Sequence, residues 1–212
     1  KRRSNGNVLA KPRRIFDQNV IMPLLALVRH GQSTWNLENR FTGETDIPLT
    51  ELGRDEARTA GVKLRNIHFF HGFTSILQRA IVTMTLILEE ARQQNLPVTH
   101  NRALNERNYG RLQGENKNEV AKQYGDDQVA LWRRSFAIRP PGGESLADTA
   151  ARVIPYYRTA IEPLLMQQKD ILVVAHGNSL RALMMYLENI DEQAIADVDL
   201  PTGIPRLYTL DE

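Results

Sequence analysis

Two short runs of consecutive apolar residues stand out along the chain: Leu24-Leu25-Ala26-Leu27-Val28, and Ile171-Leu172-Val173-Val174-Ala175. Each is bounded by polar residues and glycine and is short for a helix, so each reads as a buried strand. The first passes through Arg29 into His30-Gly31, and the second runs directly into His176-Gly177. Weaker strand candidates follow at 72–75, 97–99 and 207–210. Between them the pattern changes to a helical period. Thr50 is placed to cap a helix reaching about residue 65, with Leu52, Ala57, Ala60 and Leu64 on its apolar side and Gly53 and Gly61 weakening it. A second helix is predicted over 78–94, and a polar, charged stretch over 116–136 predicts one or two surface helices broken near Gly125.

The link Pro140-Pro141-Gly142-Gly143 must end that stretch. Ser145 with Asp148 then imitates a capping box and opens a long helix carrying Val153, Ile154, Tyr157, Ile161 and Leu165, with kinks or a break expected at Pro155 and Pro163. A last helix is expected over 178–188. Strands alternating with helices predict a three-layer α/β/α fold with a mostly parallel central sheet. Ligands of such sheets sit beyond the carboxyl ends of the strands, so two distant histidines at strand ends can share one pocket. The polar segment 32–48 is long for a connection and reads as a functional loop.

At 212 residues the chain suits one domain with a real core. A basic leader over 1–22, free of acidic residues from Lys1 to Phe16, is expected to stand outside that domain, which is placed at 23–212. The absence of cysteine removes thiol catalysis and zinc–thiolate sites and fits a reducing compartment, with the cytoplasm as the expected location. With 27 Lys+Arg against 25 Asp+Glu, the net charge of +2 gives no argument for nucleic acid as a partner. No apolar stretch approaches the length of a membrane span, so no membrane partner is expected either.

His30 is flanked by a guanidinium and a glycine. A neutral imidazole is a competent nucleophile near pH 7, and arginine forks onto phosphate oxygens. Together these describe a histidine able to accept a phosphoryl group. Arg79, just past the second strand, and His176, at a helix start, are placed to enter the same pocket. Taken singly, such histidines and arginines are as often structural. Around the two histidines no spacing of the kind metal ligands adopt occurs, so no metal is expected, and no glycine-rich nucleotide loop is present.

The ordered motifs Val28-Arg29-His30-Gly31-Gln32-Ser33-Thr34-Trp35-Asn36, Arg40-Phe41-Thr42-Gly43 and Leu49-Thr50-Glu51-Leu52-Gly53 resemble the histidine phosphatase superfamily. Within it, Asn105-Glu106-Arg107-Asn108-Tyr109-Gly110, Leu112-Gln113-Gly114-Glu115-Asn116-Lys117, Trp132-Arg133-Arg134 and Ala175-His176-Gly177-Asn178-Ser179-Leu180-Arg181 are similar to the cofactor-dependent phosphoglycerate mutases.

The resemblance implies that His30 is phosphorylated, that Arg29, Arg79 and His176 grip the phosphoryl group, and that Glu106 exchanges a proton with the substrate hydroxyl. It implies that Ser33, Asn36, Thr42, Gly43, Gly177 and Asn178 line the pocket, and that Arg107, Tyr109, Lys117, Arg133 and Arg134 hold the far end of the substrate. Read alone, Glu106 is a surface charge and Arg133-Arg134 a solvated helix face. The implied reaction interconverts 3-phosphoglycerate and 2-phosphoglycerate, with 2,3-bisphosphoglycerate as priming donor and no metal. The alternative is a phosphatase acting on a small phosphomonoester. Partners are then small phosphoglycerates, and relatives are dimers or tetramers. Two departures accompany the match: Glu44 after Gly43 brings an acid toward an anion site, and only the short Pro-Pro-Gly-Gly link joins the double arginine to the following helix.

Overall fold

The computed structural model describes residues 3–4 and 22–209, so most of the leader over 1–22 and the end of the last expected strand, Leu210, lie outside the described residues. Six strands form one sheet in the order β1-β6-β2-β5-β3-β4. They are β1 (Arg3–Ser4), β2 (Leu24–Arg29), β3 (His71–Thr74), β4 (Val98–His100), β5 (Ile171–Ala175) and β6 (Pro205–Thr209). β2, β5, β3 and β4 run parallel, while β6 is antiparallel to β2 and to β1. β5, the last of the parallel strands in sequence, is therefore inserted between β2 and β3.

Side chains of a strand alternate between faces, and here both faces are covered. Leu25, Leu27, Ile171 and Val173 point toward one layer, built by α6 (Leu146–Tyr156), α7 (Glu162–Met166) and α8 (Gly177–Glu188), where they meet Leu146, Val153, Leu165, Leu183 and Leu187. Ala26, Val28, Leu172 and Val174 point the other way, onto Ala60 and Leu64 of α2 (Glu51–Leu64) and Ala80, Met84 and Ile87 of α3 (Gln78–Glu90). Burying each such aliphatic side chain contributes about 1.5–3 kcal/mol, which is why these strands are apolar throughout. The three-layer, mostly parallel architecture is as expected.

Local chemistry sets the boundaries. Thr50 Oγ1 accepts from Gly53 N at 3.0 Å and caps α2. Ser145 and Asp148 form a reciprocal capping box at the start of α6. Gly125 separates α4 (Lys117–Tyr124) from α5 (Asp126–Arg134), and α5 carries acids in its first turn and Arg133 and Arg134 in its last, matching the helix dipole. The expected break at Pro155 and Pro163 is instead absorbed by a π-helical turn, Tyr157–Ile161, between α6 and α7. Proline lacks the N–H donor that an α-turn needs, and the wider turn accommodates that loss. The loop 32–48 contains a short helix, α1 (Thr34–Leu37), that the sequence pattern did not announce.

Gly31, and Gly53, which the sequence pattern counts against α2, are both required by close approach. A Cβ on Gly31 would stand 2.0 Å from the Gly53 carbonyl oxygen, and one on Gly53 would stand 2.1 Å from the Gln32 carbonyl oxygen. The turn after β2 thus presses on the first turn of α2, which fixes the residue before it, His30. A satellite cluster of Phe41, Leu112, Val120, Val129 and Trp132 holds the segment between β4 and α6 against the same end of the sheet.

Candidate active site

Arg29 and Ala175 are paired across β2 and β5, so His30 and His176 each follow one member of that pair. His30 N donates to Ala175 O at 3.0 Å, and the two rings lie 4.9 Å apart between centroids. Both histidines are buried. His30 Nδ1 is 2.7 Å from Gly31 O, and a carbonyl only accepts, so Nδ1 carries the proton and Nε2 keeps its lone pair. Burial, followed by the charges of Arg79 and Arg29, holds the pKa of His30 well below its usual value. Burial and Arg79 lower that of His176 likewise. The His30 imidazole is therefore neutral at pH 7, as a nucleophile must be.

Two guanidiniums flank this ring pair. Arg79, near the start of α3, is fixed by Gly43 O at 2.7 Å and Thr45 O at 2.8 Å. Its burial lowers its pKa only to about 10, so it stays charged at neutral pH. Arg29 is fixed by Leu200 O at 2.7 Å. Arg29 Nε, Arg79 Nε and Thr42 Oγ1 have no protein partner. Buried donors of this kind need an acceptor, and a phosphoryl group supplies several.

Glu106 is buried, and its Oε1 accepts from Arg107 N at 2.7 Å and Asn178 N at 3.1 Å. Oε2 faces Gly177, at 3.6 Å from where a Cβ of that glycine would stand. The glycine leaves this carboxylate oxygen and Arg29 open to the same space.

The pocket wall brings together Arg29, His30, Arg79 and Glu106 with Asn36, Thr42, Gly43, Tyr109, Lys117, Arg133, Arg134, Gly177 and Asn178. Ser33, Arg107 and His176 lie behind it. Ser33 Oγ accepts from Asn36 N at 3.3 Å and so caps the helix that presents Asn36. Arg107 donates to Tyr109 Oη and Arg133 O, each at 2.9 Å, and stacks on the Tyr109 ring. His176 Nε2 is 2.7 Å from Ser75 Oγ.

Arg40, Phe41, Arg181, Asp199 and Leu200 also line the pocket and were not singled out from the sequence. Arg40, Phe41 and Arg181 lie inside quoted motifs, whereas nothing local marks Asp199 and Leu200. Glu44, expected to bring an acid toward the anion site, is turned away: its carboxylate accepts from Asn105 Nδ2 at 3.0 Å and Asn108 Nδ2 at 3.2 Å.

Seven cationic side chains face only two carboxylates, Glu106 and Asp199, in this wall. The matching ligand carries several negative charges. Arg29 and Arg79 stand beside His30, while Lys117, Arg133, Arg134 and Arg181 form a further group of cations. Among the described residues no group of three or more His, Cys, Asp or Glu is placed to hold a metal ion. Among the same residues no helix is long and apolar enough to cross a membrane.

A buried, neutral histidine at the carboxyl edge of a parallel sheet, in a pocket lined by arginines, is an arrangement suited to phosphoryl transfer. The sequence profile of the histidine phosphatase superfamily (branch 1) matches residues 25–206, and the chain belongs to that family. Among curated relatives, the 2,3-bisphosphoglycerate-dependent phosphoglycerate mutase of Cytophaga hutchinsonii is 57% identical over 187 residues, covering 88% of this chain and 87% of the relative. The enzyme of the same name from Methylocella silvestris is 55% identical over 189 residues, covering 88% and 92%. Among solved structures, a mycobacterial glucosyl-3-phosphoglycerate phosphatase complexed with VO3 superposes with a TM-score of 0.76 at 26% identity, covering 87% of this chain and 90% of that one.

Proposed function

We propose that this protein is a phosphoglycerate mutase that depends on 2,3-bisphosphoglycerate and interconverts 3-phosphoglycerate and 2-phosphoglycerate through a phosphohistidine at His30. One observation carries the reading: the His30 Nε2 lone pair opens beside Arg29 and Arg79, in a pocket whose wall also holds Lys117, Arg133, Arg134 and Arg181. A phosphoglycerate has a phosphate and a carboxylate, and two groups of cations match that pair of charges. The identity of 52–57% to curated mutases supports the same substrate class.

The residues fit the bisphosphate: Arg29 Nε, Arg79 Nε and Thr42 Oγ1 need acceptors, and Lys117, Arg133 and Arg134 add positive charge to the same wall. When bound, 2,3-bisphosphoglycerate supplies the phosphoryl group that primes His30. In each forward transfer the Nε2–P bond breaks as an O–P bond forms to a substrate hydroxyl, and the hydroxyl proton passes to Glu106. In the return transfer Nε2 takes the phosphoryl group from the neighbouring carbon's oxygen, and Glu106 gives the proton back to that oxygen. Arg29 and Arg79 offset the charge of the transferring group, and His176, whose buried Nδ1 has no protein partner, offers a hydrogen bond, a preorganised stabilisation that costs no rearrangement during the reaction. Arg107 positions Tyr109 and the Arg133 backbone, and Ser33 positions Asn36.

The test is turnover of 3-phosphoglycerate followed by both product isomer and free phosphate. Isomerisation stimulated by 2,3-bisphosphoglycerate and insensitive to a chelator is expected. Dominant release of phosphate would overturn the mutase reading in favour of the phosphatase alternative.

The pH dependence of binding follows from Lys117. Burial, with Arg133 and Arg29 next, pushes its pKa down to about 8. A bound anion favours the ammonium form, so binding takes up a proton once the pH exceeds that value. The KM for 3-phosphoglycerate is expected to be flat near pH 7 and to climb above pH 8, by up to about tenfold per unit. Lys117→Met should raise the KM and remove the climb. A KM independent of pH between 7 and 9 would remove Lys117 from the binding set.

A further inference from the structure

Arg152, on α6, is absent from the pocket wall, yet it spends all five of its donors within one small region. Nη1 donates to Ala103 O at 2.8 Å and Asn105 O at 3.0 Å. Nη2 donates to Glu106 O at 3.1 Å and to Glu144 Oε2 at 3.0 Å, and Nε donates to Glu144 Oε1 at 3.3 Å. Three carbonyls of the four-residue stretch ending at Glu106 thus converge on one guanidinium. Glu144 closes the other side of the loop, because its Oε2 accepts from Asn108 N at 3.0 Å and its own N donates to Asn108 O at 2.8 Å.

This loop has no strand partner and no long helix of its own; a single 3-10 turn, Arg102–Leu104, precedes Glu106. Asn105 is also tied to Ile76 N and Glu44, but three of the loop's carbonyls, including that of Glu106, are held by Arg152. We propose that Arg152, oriented by Glu144, is the positioning residue that holds the Glu106 backbone so that its carboxylate meets the substrate hydroxyl. The proposal rests on the role of Glu106 given above. Glu106 Oε1 is fixed by Arg107 N and Asn178 N, and the clamp on the Glu106 carbonyl adds a hold at the main chain that bears on the direction of Oε2. A lysine cannot replace the fork, since an ammonium is a single point and the acceptors here are spread over a plane.

The experiment compares two substrates that use His30 differently. A phosphoglycerate exchanges a hydroxyl proton and so requires Glu106, whereas nitrophenyl phosphate expels a stable phenolate and requires no proton. Arg152→Gln is expected to lower kcat on 3-phosphoglycerate about 10²-fold, the cost of a displaced reacting group, with KM nearly unchanged. The burst of nitrophenolate released as His30 is phosphorylated should keep its rate within about twofold, since Arg152 makes no hydrogen bond to His30, Arg29 or Arg79. Arg152→Lys should behave as Arg152→Gln does, and Glu144→Gln should show the same split to a smaller degree. Should Arg152→Gln fail to give a cooperative thermal transition, Glu144→Gln carries the comparison.

Equal losses on both substrates would mean a merely structural role and would overturn the proposal, as would full activity on 3-phosphoglycerate. If the parent protein hydrolyses 3-phosphoglycerate instead of isomerising it, the proposed function fails, but the split between alkyl and aryl substrates still decides the role of Arg152.

Discussion

His30→Asn is expected to abolish isomerisation of 3-phosphoglycerate, with a loss of at least about 10⁴-fold, because the variant lacks the Nε2 lone pair that accepts the phosphoryl group. The asparagine amide overlays Nδ1 and keeps a donor for Gly31 O, so the turn after β2 survives and the loss is chemical. The accompanying measurement is acid-labile labelling by 2,3-bisphosphoglycerate carrying radioactive phosphorus. The label should be stoichiometric in the parent protein and absent from the variant. Label persisting in His30→Asn would move the nucleophile to His176, whose Nε2 the structure places against Ser75 Oγ.

Glu106→Gln should lower kcat on 3-phosphoglycerate by about 10²–10⁴-fold, the range for removing a proton-transfer group. The amide oxygen still accepts from Arg107 N and Asn178 N, which keeps the side chain in place. What disappears is the ability of Oε2 to take a proton. KM should change little, and labelling of His30 by nitrophenyl phosphate should persist. A variant with unaltered kcat would transfer the acid–base role to another group and would remove the reason for the Arg152 clamp.

Much of this site is legible in the chain before any coordinates. β2 and β5 are apolar throughout because both faces are covered, and such runs announce themselves. The histidines that follow them meet because the two strands are neighbours at a carboxyl edge, with His30 on the pocket wall and His176 behind it. Thr50, Ser145 and Gly125 likewise mark their boundaries through side-chain caps and a left-handed turn, which are local effects.

Arg152, Asp199 and Leu200 were not legible, for a different physical reason. Arg152 earns its place through three carbonyls nearly fifty residues away, and a main-chain acceptor has no sequence signature. Leu200 lines the pocket while its carbonyl accepts from Arg29, again a backbone interaction across the fold. Glu44 shows the converse: proximity in sequence to Gly43 suggested a charge facing the ligand, but two amides, Asn105 and Asn108, draw it the other way. The prolines of the long helix predict kinks or a break because their loss of a donor is local, but the same loss is also met by a π turn, Tyr157–Ile161, which helical periodicity does not distinguish.

The insertion of β5 between β2 and β3 has a consequence for biosynthesis. A nascent polypeptide leaving the ribosome holds β2, β3 and β4 long before β5 is translated, so two neighbouring strands must wait with a vacant lane between them. Until that lane is filled, their main-chain edges can recruit foreign strands, and this is the period in which chaperones matter most.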